Sequence, residues 1–404
     1  MNLATRYVCD GCAASIPLTE PALLCPDCGG LLEVEYDLAA ADPAELVRQA
    51  AGRRALGLWR WSPLLPPAEP LHLGEGDTPL LTAPLPGLPG LLLKNDTLMP
   101  TGSFKDRGFA VAVAAARSHG VRRAFTYSSG NAGASFATYA ARAGIEATIL
   151  VEDVANDAKI AAIALTGARV VRLRYDSSTE VFDAVSALSA AGLHCFVNFV
   201  NPLRHEGLKT CAYEICEALG WRAPDVMVHP VGTGGGLYGA WKGFTELRAL
   251  GLIDRVPRMV GVQPAATAPL VRAFERGEPT AVRHGDANLT VAQSIAGDAP
   301  IQGGARVLRA VHESGGRMAA VEDEELYAAM RLLGRQGVGA EPSAAASTAA
   351  LLRARAEGWV SEGETVVSVV TGGALKQPSA LTHAAPPPAQ TVRASAEELL
   401  AALS

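Results

Sequence analysis

The stretch Pro100-Thr101-Gly102-Ser103-Phe104-Lys105-Asp106-Arg107-Gly108 runs directly into an apolar, alanine-rich segment over residues 109–116. The proline, glycine and serine predict a turn, and the alanine-rich segment predicts a helix. Lys105 therefore lies where a loop becomes a helix, with free backbone N–H groups nearby that can bind an anion. A lysine beside apolar residues can lose its proton, which makes Lys105 a candidate Schiff-base lysine. A surface lysine is the alternative that this stretch alone leaves open.

The composition is typical of a layered α/β protein. The chain has 404 residues, enough for two or three domains; 49% are hydrophobic, only 5% are aromatic, and 41 are glycines. A net charge of −6 without a basic block gives no support to a nucleic-acid partner. No apolar run reaches the ~20 residues that a membrane span needs, and the N-terminus lacks the apolar core of a signal peptide. We therefore expect a cytoplasmic protein with neither a membrane nor a nucleic-acid partner.

Four of the seven cysteines form two CxxC pairs within 20 residues: Cys9, Cys12, Cys25 and Cys28. In a reducing cytosol this spacing favours a metal site over disulfides. Four thiolates complete a tetrahedral zinc site and leave no open catalytic position. We therefore predict a structural zinc ribbon over residues 1–36. The other three cysteines are predicted to be inert core thiols: Cys195, Cys211 and Cys216.

Strands and helices are predicted to alternate from residue 124 onward. The first set of strands covers 124–127, 147–151, 168–173 and 194–199, with helices ending at Ala143 and covering 158–166 and 179–191. A second set of strands covers 225–231, 258–263 and 365–370, with a helix from Leu237 and a small capped helix from Ser395. This alternation implies parallel sheets with right-handed crossovers.

A glycine run follows the strand predicted over 225–231: Gly232, Thr233, Gly234, Gly235 and Gly236. Glycines let the backbone approach an anion, and the helix that follows directs its N–H groups at it, so the run predicts a phosphate cradle. A GxGxxG match over 234–239 also raises a nicotinamide dinucleotide. A site for that cofactor requires an acidic residue at the end of the next strand, to bind the ribose hydroxyl. This chain has Gln263 there, which disfavours the dinucleotide. A glycine turn without a ligand is the remaining alternative.

Two further turns carry polar side chains at the ends of predicted strands. Ser128-Ser129-Gly130-Asn131 offers an amide that can donate to an oxygen, although an ordinary helix N-cap explains it equally well. Thr371 ends the strand over 365–370, where a hydroxyl can meet a ring nitrogen or serve as a simple turn residue. The histidines form no catalytic triad with a recognisable nucleophile.

Taken together, these motifs resemble those of the threonine synthases and, more broadly, of the tryptophan-synthase-β-like (fold type II) pyridoxal-phosphate enzymes. The motifs that carry the resemblance are 100–108, 128–131, 201–210, the glycine run and 371–376. The resemblance covers roughly residues 70 to 380. It implies a homodimer whose chains have two α/β domains, each with a mainly parallel sheet flanked by helices. The large domain would comprise 37–105 and 205–385, the small domain 106–204, and a C-terminal tail 386–404.

The resemblance also implies roles for individual residues. Lys105 would form a Schiff base with pyridoxal 5′-phosphate and shuttle protons, and Asn131 would bond the cofactor's 3′-oxygen. The run from Gly232 to Gly236 would hold the phosphate, and Thr371 would contact the pyridine nitrogen. The small-molecule amino-acid substrate would be bound by the following residues: Ser128, Ser129, Asn198, Asn201 and Arg204. The implied reaction eliminates phosphate from O-phosphohomoserine and adds water to give threonine.

Two departures from the family pattern leave an alternative open. Threonine synthases commonly carry threonine where this chain has Ala132 and serine where it has Phe199. Both family hydroxyls help to seat the substrate phosphate. A paralogue with another amino-acid substrate is therefore the alternative, acting either by β-replacement, as in cysteate synthase, or by serine or threonine deamination.

Overall fold

The computed structural model describes residues 2–153, 157–175, 178–197, 199–285, 289–386 and 391–403. The strands in this part of the chain are β1 Ala4–Cys9, β2 Ser15–Pro17, β3 Leu32–Tyr36, β4 Leu80–Thr82, β5 Leu91–Asn95, β6 Arg123–Tyr127, β7 Glu146–Glu152, β8 Arg169–Leu173, β9 His194–Cys195, β10 Val226–Pro230, β11 Arg258–Pro264, β12 Arg317–Val321 and β13 Val366–Val370. The helices are α1 Pro43–Gly52, α2 Lys105–Ser118, α3 Asn131–Ala143, α4 Asp157–Ala164, α5 Ser178–Ala190, α6 Leu203–Leu208, α7 Thr210–Ala218, α8 Gly235–Ala249, α9 Pro269–Glu275, α10 Ala305–Glu313, α11 Asp323–Arg335, α12 Pro342–Ala354, α13 Pro378–Ala384 and α14 Ala396–Leu403.

Two mainly parallel sheets form the body of the molecule. The smaller sheet has the order β8-β7-β6-β9 and is parallel throughout, and the larger has the order β12-β11-β10-β13-β5-β4. Only β4 runs antiparallel in the larger sheet. Every residue of β10 and β13 is buried, as expected for central strands covered by helices on both faces. The predicted α/β architecture is confirmed, and the domain limits stay a prediction.

The N-terminal module is a three-stranded antiparallel sheet in the order β2-β1-β3. It packs against the helices of the larger sheet through buried polar contacts. Lys242 of α8 donates from Nζ to the carbonyl of Val34 at 2.7 Å, and the Tyr36 hydroxyl donates to Glu206 of α6 at 2.7 Å. These contacts fix the module against α6 and α8.

The predicted element ends differ from the structure at two functionally important places. β9 contains only His194 and Cys195, whereas the sequence predicts a strand to residue 199. Phe199 has a φ of 62°, in the left-handed region, so the chain turns there instead of continuing as a strand. Helix α8 begins at Gly235, two residues before its predicted start, so the glycine run itself forms the helix N-terminus.

The parallel arrangement brings the candidate functional loops together. Asn95, Pro230 and Val370 end neighbouring strands of the larger sheet, and Tyr127 ends a strand of the smaller one. Ligands of open α/β sheets bind outside the carboxyl ends of the strands, which is where the loops that follow these four residues lie. Among the described residues, no helix is long enough and apolar enough to cross a membrane.

Candidate active site

A cavity of about 340 Å³ lies at the carboxyl ends of these strands. The sequence-predicted residues that line it are Lys105, Ser128, Ser129, Asn131, Arg204, Gly232, Thr233, Gly234, Gly235, Gly236 and Thr371. They come from five separate stretches of the chain, so the fold brings the predicted cofactor and substrate residues into one place. Asn201 is not among the residues that line the cavity, and Asn198 lies outside the described residues.

Lys105 is the first residue of α2, and the next residue anchors the loop before it. The buried carboxylate of Asp106 accepts from the backbone N–H and the hydroxyl of Thr101, both at 2.7 Å, and from the Ser135 hydroxyl at 2.5 Å. These bonds tie the turn to α3. The lysine is therefore presented from a rigid backbone.

Arg107, the third residue of α2, also fixes the start of this helix. Its guanidinium bonds Asp96, which follows β5, at 2.8 Å and Glu214 of α7 at 2.6 Å. All three side chains are almost fully buried. Such a paired, hydrogen-bonded network specifies one arrangement, since moving α2 would leave a buried charge without its partner.

The Lys105 amine has an electrostatic environment suited to a nucleophile. The side chain is half-buried at the cavity wall, and its Nζ lies 4.4 Å from the centroid of the Phe104 ring. Burial, and then the positive charge of Arg204, lower the pKa of Lys105 to about 7, while the Glu341 carboxylate opposes this shift. A substantial fraction of the amine is therefore neutral, and able to react with a carbonyl, at neutral pH.

Arg204 is a buried cation without a carboxylate partner among the described residues. Its guanidinium lies 4.2 Å from the centroid of the Phe109 ring, and Nη1 donates to the carbonyl of Phe196 at 3.2 Å. No described residue accepts a hydrogen bond from Nε. Burial lowers the pKa of Arg204 to about 9. An unpaired donor on a buried cation is costly unless a ligand satisfies it, so the side chain is suited to bind an anion.

Close helix packing places Arg204 next to Lys105. A Cβ added at Gly207 of α6 would lie 1.9 Å from the carbonyl oxygen of Arg107 in α2, so any other residue would push the two helices apart. The glycine therefore lets α6 approach α2 closely and brings the guanidinium to the same cavity wall as the amine.

The glycine run forms a tightly packed turn at the start of α8. Gly234 has a φ of 90°, and the helix begins at the next residue. A Cβ at Gly236 would lie 2.3 Å from Cε1 of His229. That imidazole is fixed because its Nδ1–H donates to the carbonyl of Pro230 at 2.7 Å, and burial lowers its pKa to about 4, so it stays neutral. The first N–H groups of α8, which have no partner within the helix, are thus available to a ligand in the cavity.

Asn131 meets a carboxylate that the sequence does not predict. Its amide Nδ2 donates to Oε1 of Glu341 at 2.6 Å, and both residues line the cavity. The second hydrogen of that amide can still donate to a ligand oxygen. The local sequence signal near Glu341 is Pro342, the first residue of α12, because a proline there marks a helix start directly after Glu341.

The remaining predicted residues divide between cavity and scaffold. Ser128 lines the cavity, where its hydroxyl accepts from the Gly130 N–H at 3.2 Å, and Ala132 lines it too. Asn201 is fully buried; its amide donates to the carbonyl of Cys195 at 3.2 Å and accepts from the Leu203 N–H at 3.1 Å. Its contacts in this structure therefore shape the turn that leads to Arg204.

Phe199 lies outside this cavity as well. Its ring packs against His205, with a centroid separation of 4.7 Å, and not against the residues that surround Lys105. Of the two departures from the family pattern, only Ala132 is therefore in contact with the candidate active site.

Gln263 serves a structural purpose at the end of β11. Its side-chain oxygen accepts from the backbone N–H groups of Leu270 at 2.9 Å and Val271 at 3.3 Å, near the start of α9. A dinucleotide cofactor would want a carboxylate at this strand end. The residue present is an amide already engaged by a helix, so the position does not support a nicotinamide site.

The four N-terminal cysteines come together in the antiparallel module. Their sulfur atoms all lie within 4.8 Å of one another, with Cys9 and Cys28 at 3.5 Å and Cys12 and Cys25 at 3.6 Å. The other three cysteines are buried, as predicted.

Comparison with known proteins assigns the family. A family model described as pyridoxal-phosphate dependent enzyme matches residues 71–372, which hold every predicted cofactor residue. The chain belongs to the pyridoxal-phosphate-dependent enzymes. Proteins named threonine synthase are similar to this enzyme: one from Methanocaldococcus jannaschii is 35% identical over 390 residues, covering 94% of this chain and 95% of the relative. Another, from Mycobacterium bovis, is 44% identical over 317 residues, covering 76% and 84%.

A solved structure supports the same assignment for this pyridoxal-phosphate-dependent enzyme. The threonine deaminase of T.th. has a TM-score of 0.60 and 28% identity, covering 73% of this chain and 92% of that chain. The cavity fits the family cofactor. It offers an amine of lowered pKa, a helix N-terminus for a phosphate, and an amide and a hydroxyl on Asn131 and Thr371 for ring atoms.

Proposed function

We propose that this enzyme is a threonine synthase, a lyase that eliminates phosphate from O-phosphohomoserine and adds water to give threonine. The observation that carries the proposal is one cavity in which Lys105, with its lowered pKa, lies beside Arg204, whose guanidinium has no carboxylate partner among the described residues, and beside the glycine run. Such a cavity has two places for an anion, which suits one phosphate on the cofactor and another on the substrate. The names of the relatives support the same substrate.

The residues toward the cofactor have distinct tasks in this proposal. Pyridoxal 5′-phosphate, when bound, supplies the electron sink that makes the substrate Cα proton acidic. Lys105 holds the cofactor and then carries protons at Cα and beyond. The backbone of 232–236 binds the phosphate, Asn131 donates to the 3′-oxygen, and the Thr371 hydroxyl meets the pyridine nitrogen. A neutral hydroxyl there leaves that nitrogen largely unprotonated.

The residues toward the substrate account for its negative charge. Arg204 receives the substrate phosphate, because its Nε is a buried donor without a partner in the part of the chain that the structure describes. Ser128 and Ser129 offer hydroxyl and backbone donors on the opposite wall. Asn201 contributes by fixing the turn before Arg204, and Asn198 stays a predicted substrate residue.

A substrate panel tests this proposal. We expect the purified enzyme with bound pyridoxal 5′-phosphate to release phosphate and form threonine in equal amounts from O-phosphohomoserine. Lys105→Ala should lose both activities and the visible absorbance of the lysine-bound cofactor while keeping its circular dichroism spectrum. If O-phosphoserine, serine or threonine is consumed and O-phosphohomoserine is not, the enzyme is a paralogue and the proposal is wrong. Of the two departures that left this alternative open, Ala132 lines the cavity and Phe199 does not.

We also propose that the cysteine module binds a structural zinc ion. Zinc–sulfur bonds of ~2.3 Å in a tetrahedron place the sulfurs about 3.8 Å apart, close to the 3.5 and 3.6 Å separations seen here. One zinc ion per chain is expected by elemental analysis, and Cys12→Ser should lose it. The control Cys216→Ala, at a buried cysteine elsewhere, should keep it. Zinc-free wild-type protein with unchanged thermal stability would contradict the assignment. A homodimer and a cytoplasmic location stay predictions.

A further inference from the structure

A second cavity, of about 500 Å³, lies between the cysteine module and the start of α10. The module contributes Asp10 and Leu31 to its wall, and α10 contributes Arg306 and Arg309. Neither the proposed reaction nor the proposed zinc site uses these side chains. The cavity is therefore a separate feature of the molecule.

The two arginines at this second cavity include one hydrogen-bond donor that is not satisfied. Arg306 is only 3% exposed; its Nε bonds the Asp10 carboxylate at 2.5 Å and its Nη2 donates to the Leu32 carbonyl at 3.0 Å. Its Nη1 is buried without a hydrogen-bond partner in the described part of the chain. Arg309 lies 3.5 Å from the same carboxylate. The Glu33 carboxylate also acts on both guanidinium groups, so two carboxylates oppose the two positive charges. What stays unsatisfied is one buried guanidinium donor, which a ligand with an acceptor oxygen would satisfy.

The rest of the wall is largely apolar. Leu31, Leu308 and Phe199 line it, and Phe199 has a left-handed backbone. A bulky residue with positive φ is strained, and strain of this kind persists where the surrounding structure uses it. A ligand that accepts hydrogen bonds from the two arginines and packs against this apolar wall has a carboxylate at one end and a short apolar chain at the other.

One loop connects this cavity to the candidate active site. Ile301 lines both cavities. The next residue, Gln302, has a φ of 46° and donates to the carbonyl of Gly29 in the cysteine module at 3.5 Å. A ligand that packs against this loop thus contacts a residue that also forms part of the catalytic wall.

We propose that the second cavity is a regulatory site for a small organic carboxylate, bound by Arg306 and Arg309, and that its occupancy changes catalysis through Ile301. This inference has a binding half, that the cavity binds a carboxylate, and a regulatory half, that its occupancy changes catalysis. Only the regulatory half rests on the proposed function.

Isothermal titration calorimetry of the cofactor-bound enzyme tests the binding half. The probes are butyrate, inorganic phosphate and butanol, which has the same chain length as butyrate but no charge. We expect butyrate to bind once per chain and butanol not to bind. Arg309→Gln should weaken butyrate binding about tenfold, since it removes one charged contact worth ~1.4 kcal/mol. Arg355→Gln is the matched control, because its side chain is 44% exposed against 42% for Arg309 and pairs with Glu362 elsewhere.

Three results would overturn the binding half. The first is that butyrate does not bind, and the second is that it binds the wild type and Arg309→Gln with equal affinity. The third is that phosphate binds and butyrate does not, which would indicate a site for inorganic anions only. The regulatory half is tested by the initial rate of threonine formation from O-phosphohomoserine. We expect saturating butyrate to change that rate about fivefold in the wild type and not in Arg309→Gln.

An unchanged rate with bound butyrate would refute the regulatory half alone. If no threonine is formed under any condition, the proposed function fails. The calorimetry still decides whether the anion site exists, because it needs no substrate.

Discussion

Replacing Gly236 with alanine should weaken cofactor binding by an amount that the structure allows us to work out. The new Cβ would lie 2.3 Å from Cε1 of His229 and 2.7 Å from Cε2 of Phe104. Ordinary contacts between carbons are ~3.5–4.0 Å, so the atoms must separate by more than about 1 Å. His229 cannot turn away, because its Nδ1–H is bonded to Pro230 and its ring packs edge-on against Phe104.

Overpacking of this kind costs ~1–3 kcal/mol, and the better helix propensity of alanine returns at most ~1 kcal/mol. We expect the clash to displace the first turn of α8, whose N–H groups form the proposed phosphate cradle. A net cost of ~1–2 kcal/mol corresponds to roughly 5–30-fold weaker cofactor binding. The assay is titration of the apoprotein with pyridoxal 5′-phosphate, followed by visible absorbance.

The matched control is Gly334→Ala in α11, where an added Cβ meets no atom within 4 Å. It should leave cofactor affinity unchanged and raise stability by ~0.5–1 kcal/mol. A folded Gly236→Ala protein that binds the cofactor as tightly as the wild type would refute the assignment of 232–236 as the phosphate cradle.

Two further predictions follow from the charges around α2. The rate at which the apoprotein takes up pyridoxal 5′-phosphate should rise with pH through about 7, because the neutral Lys105 amine forms above its lowered pKa; Arg204→Met should move this midpoint upward. A wild-type midpoint near the ordinary lysine value of 10.5 would contradict this account of the lysine environment. Arg107→Met should lower the free energy of unfolding in urea by ~3–5 kcal/mol, because it leaves the buried Asp96 carboxylate without its cationic partner and leaves Glu214 with Lys94 alone. A loss below about 1 kcal/mol would show that the network does not hold α2.

The sequence predicts well which residues line the candidate active site, because these residues follow strands. Lys105, Asn131, Gly232 and Thr371 all lie in loops beyond the carboxyl ends of parallel strands, and one topological rule brings such loops together. Each of those loops also has a local signal: a proline-glycine turn, an asparagine at a helix start or a run of glycines. Local pattern and global arrangement agree there, so little tertiary information is needed.

Other parts of the site depend on contacts that no local pattern encodes. Glu341 meets Asn131 across 210 residues of sequence, and only the packing of α12 against the sheet joins them. Phe199 takes the place of a serine that helps to seat the substrate phosphate in the family pattern, yet it lines the second cavity and not the candidate active site. The strand β12, Arg317–Val321, was not predicted, because two of its five residues are alanines, which suit a helix as well as a buried strand.

The central claim is tested most directly by tracing the oxygen that enters threonine. The enzyme with bound cofactor is incubated with O-phosphohomoserine in water labelled with oxygen-18, and both products are examined by mass spectrometry. Elimination of phosphate followed by addition of water predicts one labelled oxygen in threonine and none in the released phosphate. Label in the phosphate, or formation of a keto acid in place of threonine, would contradict the account.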